Sequence, residues 1–159
     1  MTETPKKSER YVQVRDLLEQ AARFHGDLAG FYHRLAGEAG QERVKLLLDY
    51  MSTHETNLKD SLDVFDEEAS EGVLNTWIDR DYCDRIVHAC ENMPQPPALD
   101  VENVIHLAMT VDDSLIRFYE ELERKTDVES VREVFRNLVS MEQTELRRLA
   151  LNALTAQDF

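Results

Sequence analysis

The fold is decided by the stretch LEQAARFHGDLAGFYHRL, residues 18–35, in which apolar side chains recur three and four positions apart around a central His25. The stretch IHLAMTVDDSLIRFYEEL, residues 105–122, repeats this spacing with Asp112 in the place of His25 (112 − 25 = 87). Apolar residues at this spacing are typical of the buried face of an α-helix. Both stretches are therefore predicted to be core-facing helices that carry an ionisable group in the middle of the apolar face.

The same offset relates a second pair of apolar patterns, residues 44–62 and 131–149, without a gap. Glu55 and Glu142 occupy equivalent places in them (142 − 55 = 87), and Glu145 follows Glu142 on the same side of the helix. An unpaired buried charge is costly, so buried ionisable groups are usually paired or bound to a metal. These interruptions of the apolar faces are the strongest indication of function in the sequence.

The repeat and the helix-start signals predict helices, and nowhere does the sequence sustain the alternation of apolar and polar residues that is typical of a strand. The protein is therefore predicted to be all-α. The first helix is predicted from about Ser8, a suitable N-cap, to Ala36, and the second over 42–68. Asp100 is predicted to cap a third helix that ends near Arg124. A capping-box pattern over 126–129 predicts the start of a fourth helix, which ends near Leu154.

The lengths of the connections predict how these helices are arranged. Residues 37–41 contain two glycines and predict a tight turn, whereas residues 69–99 form a long connection. That connection is predicted to hold a short helix over 76–91, which the proline cluster at 94–97 ends. Two helical hairpins joined by a long crossover are typical of the ferritin-like four-helix bundle, here predicted as a single domain over residues 1–159.

Composition excludes several classes of partner. The formal net charge is −14, from 18 basic and 32 acidic residues, so neither nucleic acid nor an anionic membrane surface is an expected partner. The N-terminal residues lack the apolar core of a secretion signal, which predicts a cytoplasmic protein. Cys83 and Cys90 lie two helical turns apart with no CxxC motif, so they are predicted to be free thiols.

A pseudo-two-fold arrangement of the two hairpins places the ionisable interruptions at one level of the core. His25 is then expected to face Asp112, and Glu55 to face Glu142, with Glu145 one turn away. This set holds four carboxylates and at most one imidazolium, and the apolar faces contain no Lys or Arg. Either some carboxyl groups stay protonated, or a bound cation supplies the missing positive charge.

The segments that carry these residues resemble rubrerythrin-like domains of the ferritin-like superfamily. HGDLAGFY (25–32) and DDSLIRFYEEL (112–122) resemble the first and third helices of that family. THETNL (53–58) and SMEQTE (140–145) resemble its Glu-x-x-His segments on the second and fourth helices. The resemblance implies a dinuclear iron or manganese site that handles oxygen, peroxide or iron.

The resemblance also implies a ligand set, although the chain departs from the family pattern of two Glu and two Glu-x-x-His segments. His25 and Asp112 stand at the two Glu positions, and Glu145 and Leu58 stand at the two His positions. Leu58 cannot bind a metal, and His54 is the residue nearest to compensate for it. The implied metal ligands are His25, Glu55, Asp112, Glu142 and Glu145.

Two functions remain open from the sequence. The first is a metalloprotein, for which oxygen ligands with one imidazole favour iron or manganese over zinc or copper. Because no rubredoxin-like electron-transfer segment is present, peroxidase activity would require a separate electron donor. The second is a non-catalytic helical bundle that has lost the family's metal site and binds a partner, or forms a homodimer, through a helix face.

Overall fold

The structure, a computed structural model, describes residues 10–157. That part of the chain is helical except for two short strands and the connecting segments, which confirms the all-α class. The helices are α1 (Val14–Glu38), α2 (Glu42–Glu68), α3 (Glu71–Leu74), α4 (Arg80–Glu91), α5 (Val101–Lys125) and α6 (Glu129–Gln157). The strands are β1 (Tyr11–Gln13) and β2 (Trp77–Asp79).

The chain divides into two compact units. The first consists of the chain up to Leu28 together with Glu55–Met93, and the second consists of Ala29–His54 together with the chain from Pro94 onward. Helices α1 and α2 each contribute residues to both units. No helix within the described residues combines the length and the apolar character that a membrane span requires.

The first unit contains a two-stranded antiparallel ribbon where a helix was predicted. Strand β1 pairs with β2, with Val12 opposite Ile78, and α1 begins only at Val14. The prediction that the first helix begins near Ser8 is therefore wrong for residues 11–13, while Ser8 itself lies outside the described residues. The pairing partners are 66 positions apart (78 − 12), and strands of three residues are too short to produce a detectable alternation.

The long connection holds more structure than the single predicted helix over 76–91. Its first part forms α3 and β2, and α4 begins at Arg80. The start is fixed by Asp79, whose carboxylate accepts a 2.9 Å hydrogen bond from the backbone N–H of Asp81. Helix α4 ends at Glu91, ahead of the proline cluster as predicted.

The helix boundaries of the second unit confirm one predicted cap and correct another. Asp100 caps α5 by accepting a hydrogen bond of 2.8 Å from the backbone N–H of Asn103. The fourth helix begins at Glu129, within the predicted 126–129 segment, but Thr126 belongs to the end of α5, where its hydroxyl donates to the carbonyl of Leu122 at 2.6 Å. A threonine hydroxyl can donate as well as accept, so the motif alone does not decide its role.

The apolar faces predicted from the sequence are buried. Helices α5 and α6 pack against each other, and Tyr119 and Phe135 are fully buried in that unit. In the first unit, Leu62 of α2 and Leu74 of α3 are equally inaccessible. The interruptions of the apolar faces therefore lie where an unpaired charge is most costly.

Candidate functional site

Four of the five predicted ligand residues are buried. His25 and Glu142 are fully inaccessible, and Glu55 and Asp112 are only 5% and 6% exposed. Glu145 is half-buried, with 15% of its side chain exposed. The burial of His25, Glu55, Asp112 and Glu142 confirms that the interruptions lie on buried faces.

The buried ionisable residues are mainly acidic. Within residues 10–152 they comprise three carboxylates and one imidazole, and no Lys or Arg side chain is buried. A protonated imidazole neutralises one carboxylate only. The remaining buried carboxylates therefore require protons, polar partners or a cation.

In the first unit, His25 of α1 is hydrogen-bonded to Glu55 of α2. The distance from His25 Nδ1 to Glu55 Oε2 is 2.5 Å, and both side chains are buried. The rings of His25 and Phe24 also pack in a T-shaped arrangement, with the two ring centroids 5.7 Å apart. The sequence placed both residues on buried faces but did not predict that they pair with each other.

In the second unit, buried carboxylates lie on the two packed helices α5 and α6. Asp112 belongs to α5, and Glu142 belongs to α6. Glu145 follows Glu142 at the i+3 position, a spacing that places both side chains on the same side of the helix. The expected pairings of His25 with Asp112 and of Glu55 with Glu142 stay predictions.

Glu145 is held by a polar network between α2 and α6. Its Oε2 lies 2.5 Å from Nδ1 of His54, and its Oε1 accepts a hydrogen bond of 3.0 Å from Arg148. The His54 ring packs on Tyr50, with the ring centroids 4.2 Å apart, and Asn152 donates to the Tyr50 hydroxyl. Burial raises the pKa of Tyr50, and the charge of Glu145 raises it further against the opposing effect of Arg148. His54 was predicted only as a substitute metal ligand, and its network with Glu145 and Tyr50 was not predicted from the sequence.

The remaining reactive side chains have other environments. His33, His88 and His106 are exposed, as expected for residues outside the apolar faces. Cys83 and Cys90 are free thiols, and burial above all raises the pKa of each to about 11. Both thiols are consequently protonated at neutral pH and are weak nucleophiles.

Among the described residues, the structure contains no group of three or more His, Cys, Asp or Glu side chains that could hold one metal ion. Comparison of the chain with protein-family models, with curated proteins and with solved structures gives no match.

Proposed function

We propose that this chain is a cytoplasmic, metal-binding protein with a ferritin-like four-helix bundle, acting in iron handling or in oxygen or peroxide chemistry. The observation that carries the proposal is that three carboxyl groups and one imidazole, those of Glu55, Asp112, Glu142 and His25, are buried on helix faces that are otherwise apolar. The proposed donors are His25, Glu55, Asp112, Glu142 and Glu145.

The donor set suits iron or manganese in its chemistry, because carboxylate oxygens and a single imidazole are ligands that both metals accept. The described residues do not group three such donors around one point, so the proposal requires donor side chains to turn toward the ion as it binds. The metal would supply a coordination position for oxygen or peroxide, and a separate electron donor would complete a peroxidase cycle.

The test replaces Glu142 with Gln, which keeps the shape of a fully buried side chain and removes its charge. Without metal, Glu142→Gln should stabilise the protein at neutral pH by about 1–3 kcal/mol, since a neutral amide is less costly to bury than a carboxylate. The same substitution should weaken binding of Fe(II) or Mn(II), because it removes a ligand. The matched control is Glu133→Gln on the exposed side of the same helix, which should change neither quantity.

Unfolding of wild type and both variants, each in chelator and in added Mn(II), decides between the outcomes. If Glu142→Gln destabilises the chelated protein and Mn(II) stabilises none of the three, the proposed metal function is wrong. If Mn(II) stabilises wild type and the Glu133 variant more than the Glu142 variant, the proposal is supported.

A second candidate is a non-catalytic helical-bundle protein that binds a partner or forms a homodimer through a helix face. The observation that favours it is that His25 and His54 are each hydrogen-bonded to a glutamate. Metal analysis by mass spectrometry, after expression in medium rich in iron and manganese, distinguishes the candidates. A metal-free protein whose melting temperature does not respond to either ion favours this second function.

A further inference from the structure

The imidazole of His54 is held in a defined orientation in the second unit. Its Nδ1 lies 2.5 Å from Oε2 of Glu145, and its ring packs on Tyr50 with the two ring centroids 4.2 Å apart. Asn152 donates to the Tyr50 hydroxyl, so the ring that supports His54 is itself tied to α6. One hydrogen bond and one ring contact therefore fix the imidazole, and all four residues belong to the same unit.

The other ring nitrogen of His54, Nε2, is open to water. Within residues 10–152, Nε2 makes no hydrogen bond and is not enclosed by protein atoms, and 23% of the side chain is exposed. A neutral imidazole carries its proton on one nitrogen and its lone pair on the other, and a carboxylate at Nδ1 selects the form with the proton on Nδ1. The nucleophilic nitrogen of His54 is then Nε2, the one that water reaches.

Glu145 is placed to stabilise the charge that a reaction at Nε2 creates. When Nε2 uses its lone pair to form a bond, the ring becomes positively charged while its Nδ1 proton still points to Glu145 Oε2. The contact then joins two ionised groups, which strengthens the hydrogen bond. Glu145 is oriented in turn by Arg148, which donates to Oε1 at 3.0 Å. A nucleophile supported by a second group that a third group orients is typical of reactive side chains.

The charges beside His54 favour a phosphoryl group as the electrophile. The side chain of Arg148 is 59% exposed, and Arg147 is exposed as well. A guanidinium has five N–H donors, and the hydrogen bond to Glu145 uses one of them, so donors remain for the oxygens of an anion. The planar guanidinium group suits the oxygens of a phosphoryl group. Phosphoryl groups are therefore the class of electrophile that this part of α6 suits best.

We propose that Nε2 of His54 is a phosphoryl-acceptor site. With a phosphoramidate as the donor, the Nε2 lone pair attacks phosphorus, and the P–Nε2 bond forms as the P–N bond of the donor breaks. The protonated nitrogen of the donor leaves as ammonia with the bonding electrons, and the positive charge passes to the imidazole ring beside Glu145. This site goes beyond the proposed metal function and does not depend on it.

The experiment treats the full chain with potassium phosphoramidate, in chelator and at a fixed neutral pH. Mass spectrometry follows the phosphorylation of each histidine separately, and the exposed His33, His88 and His106 serve as references within the same molecule. Accessibility alone makes His54 the slowest of the four, because its side chain is only 23% exposed. We expect the opposite order, with His54 phosphorylated about tenfold faster than any reference, the scale of one hydrogen bond to a charged group.

A variant of Glu145 shows whether the rate depends on the carboxylate. Glu145→Gln should slow phosphorylation of His54 about tenfold and leave the rate at His106 unchanged, because only His54 loses a charged partner. Glu133→Gln, at an exposed position of the same helix, is the matched control and should change neither rate. Phosphorus nuclear magnetic resonance should locate the phosphoryl group on Nε2.

Three results would each overturn the proposed acceptor site. They are a rate at His54 no higher than at the reference histidines, an unchanged rate in Glu145→Gln, and a phosphoryl group on Nδ1. The first and third are measured on wild type, so they do not depend on how well a variant folds. None of them bears on the proposed metal function, because the reaction is run in chelator.

Discussion

The two histidine–glutamate pairs have the same length but different surroundings. His25 and Glu55 lie 2.5 Å apart in the first unit, with side chains 0% and 7% exposed. His54 and Glu145 lie 2.5 Å apart in the second unit, with side chains 23% and 15% exposed. Geometry alone therefore does not distinguish the pairs, whereas access to water does.

The difference in exposure determines how much stability is lost when one partner of a pair is removed. A buried group left without its partner keeps the full cost of desolvation, whereas water replaces the partner of a half-exposed group. The first pair is accordingly expected to hold its unit together. The second pair is expected to contribute less, because water reaches both of its side chains.

The largest expected effect comes from breaking the buried pair. Glu55→Leu keeps most of the side-chain volume and removes the acceptor for His25, so it should lower the free energy of unfolding by about 3 kcal/mol. The same replacement at Glu145 should cost about 1 kcal/mol or less, because water reaches His54. Urea unfolding in chelator measures both losses, and equal losses would show that burial does not separate the two pairs.

A smaller effect is the response of each pair to salt. A double-mutant cycle between His54→Phe and Glu145→Gln should give a coupling of about 0.5–1 kcal/mol at low ionic strength. Salt at about 1 M should reduce this coupling strongly, since it screens charges that water can reach. The corresponding cycle between His25→Phe and Glu55→Gln should keep its coupling. If the coupling between His54 and Glu145 does not depend on salt, that pair is shielded from solvent as the buried pair is, and the prediction is wrong.

The smallest effect concerns Tyr50, whose pKa is raised first by burial and then by Glu145. Because the folded pKa lies above the ordinary value of 10.0, Tyr50 stays neutral in the fold while it ionises in the unfolded chain, and stability falls as pH rises through that region. Glu145→Gln should lower the pKa of Tyr50 part of the way toward 10.0, whereas Glu55→Gln should leave it unchanged. Titration followed by tyrosinate absorbance measures the shift. An equal response to both substitutions would contradict the claim that Glu145 raises the pKa of Tyr50.

Helical periodicity predicted which ionisable residues are buried. His25, Glu55, Asp112 and Glu142 were identified because each stands at an apolar position of a helical repeat, and a helix has one buried face whatever it packs against. The second helix also has its predicted bounds, because apolar spacing, the preceding glycines and the change in composition after Glu68 agree with one another. These features depend on local sequence.

The partners of these residues could not be predicted in the same way. Periodicity identifies a face, but it does not say which neighbour a side chain on that face will reach, so the pairing of His25 with Glu55 was missed. His54 lies beside the buried face at a half-exposed position. It does not interrupt an apolar face, so helical periodicity gave no reason to assign it a partner. The capping-box motif predicts that the Thr126 hydroxyl accepts a hydrogen bond, whereas it donates one to Leu122. Only the surrounding backbone determines which of the two roles the hydroxyl has.

The ribbon of β1 and β2 determines how much stability is lost when residues are inserted between the two strands. It closes a loop between Val12 and Ile78, which are 66 positions apart, and closure entropy rises only with the logarithm of loop length. Doubling that loop would add only about 0.6 kcal/mol to the cost of closure. A few extra residues in the turn at 39–41, between α1 and α2, would therefore add almost nothing to it. The turn is a suitable place to insert a tag or a reporter while the ribbon stays formed.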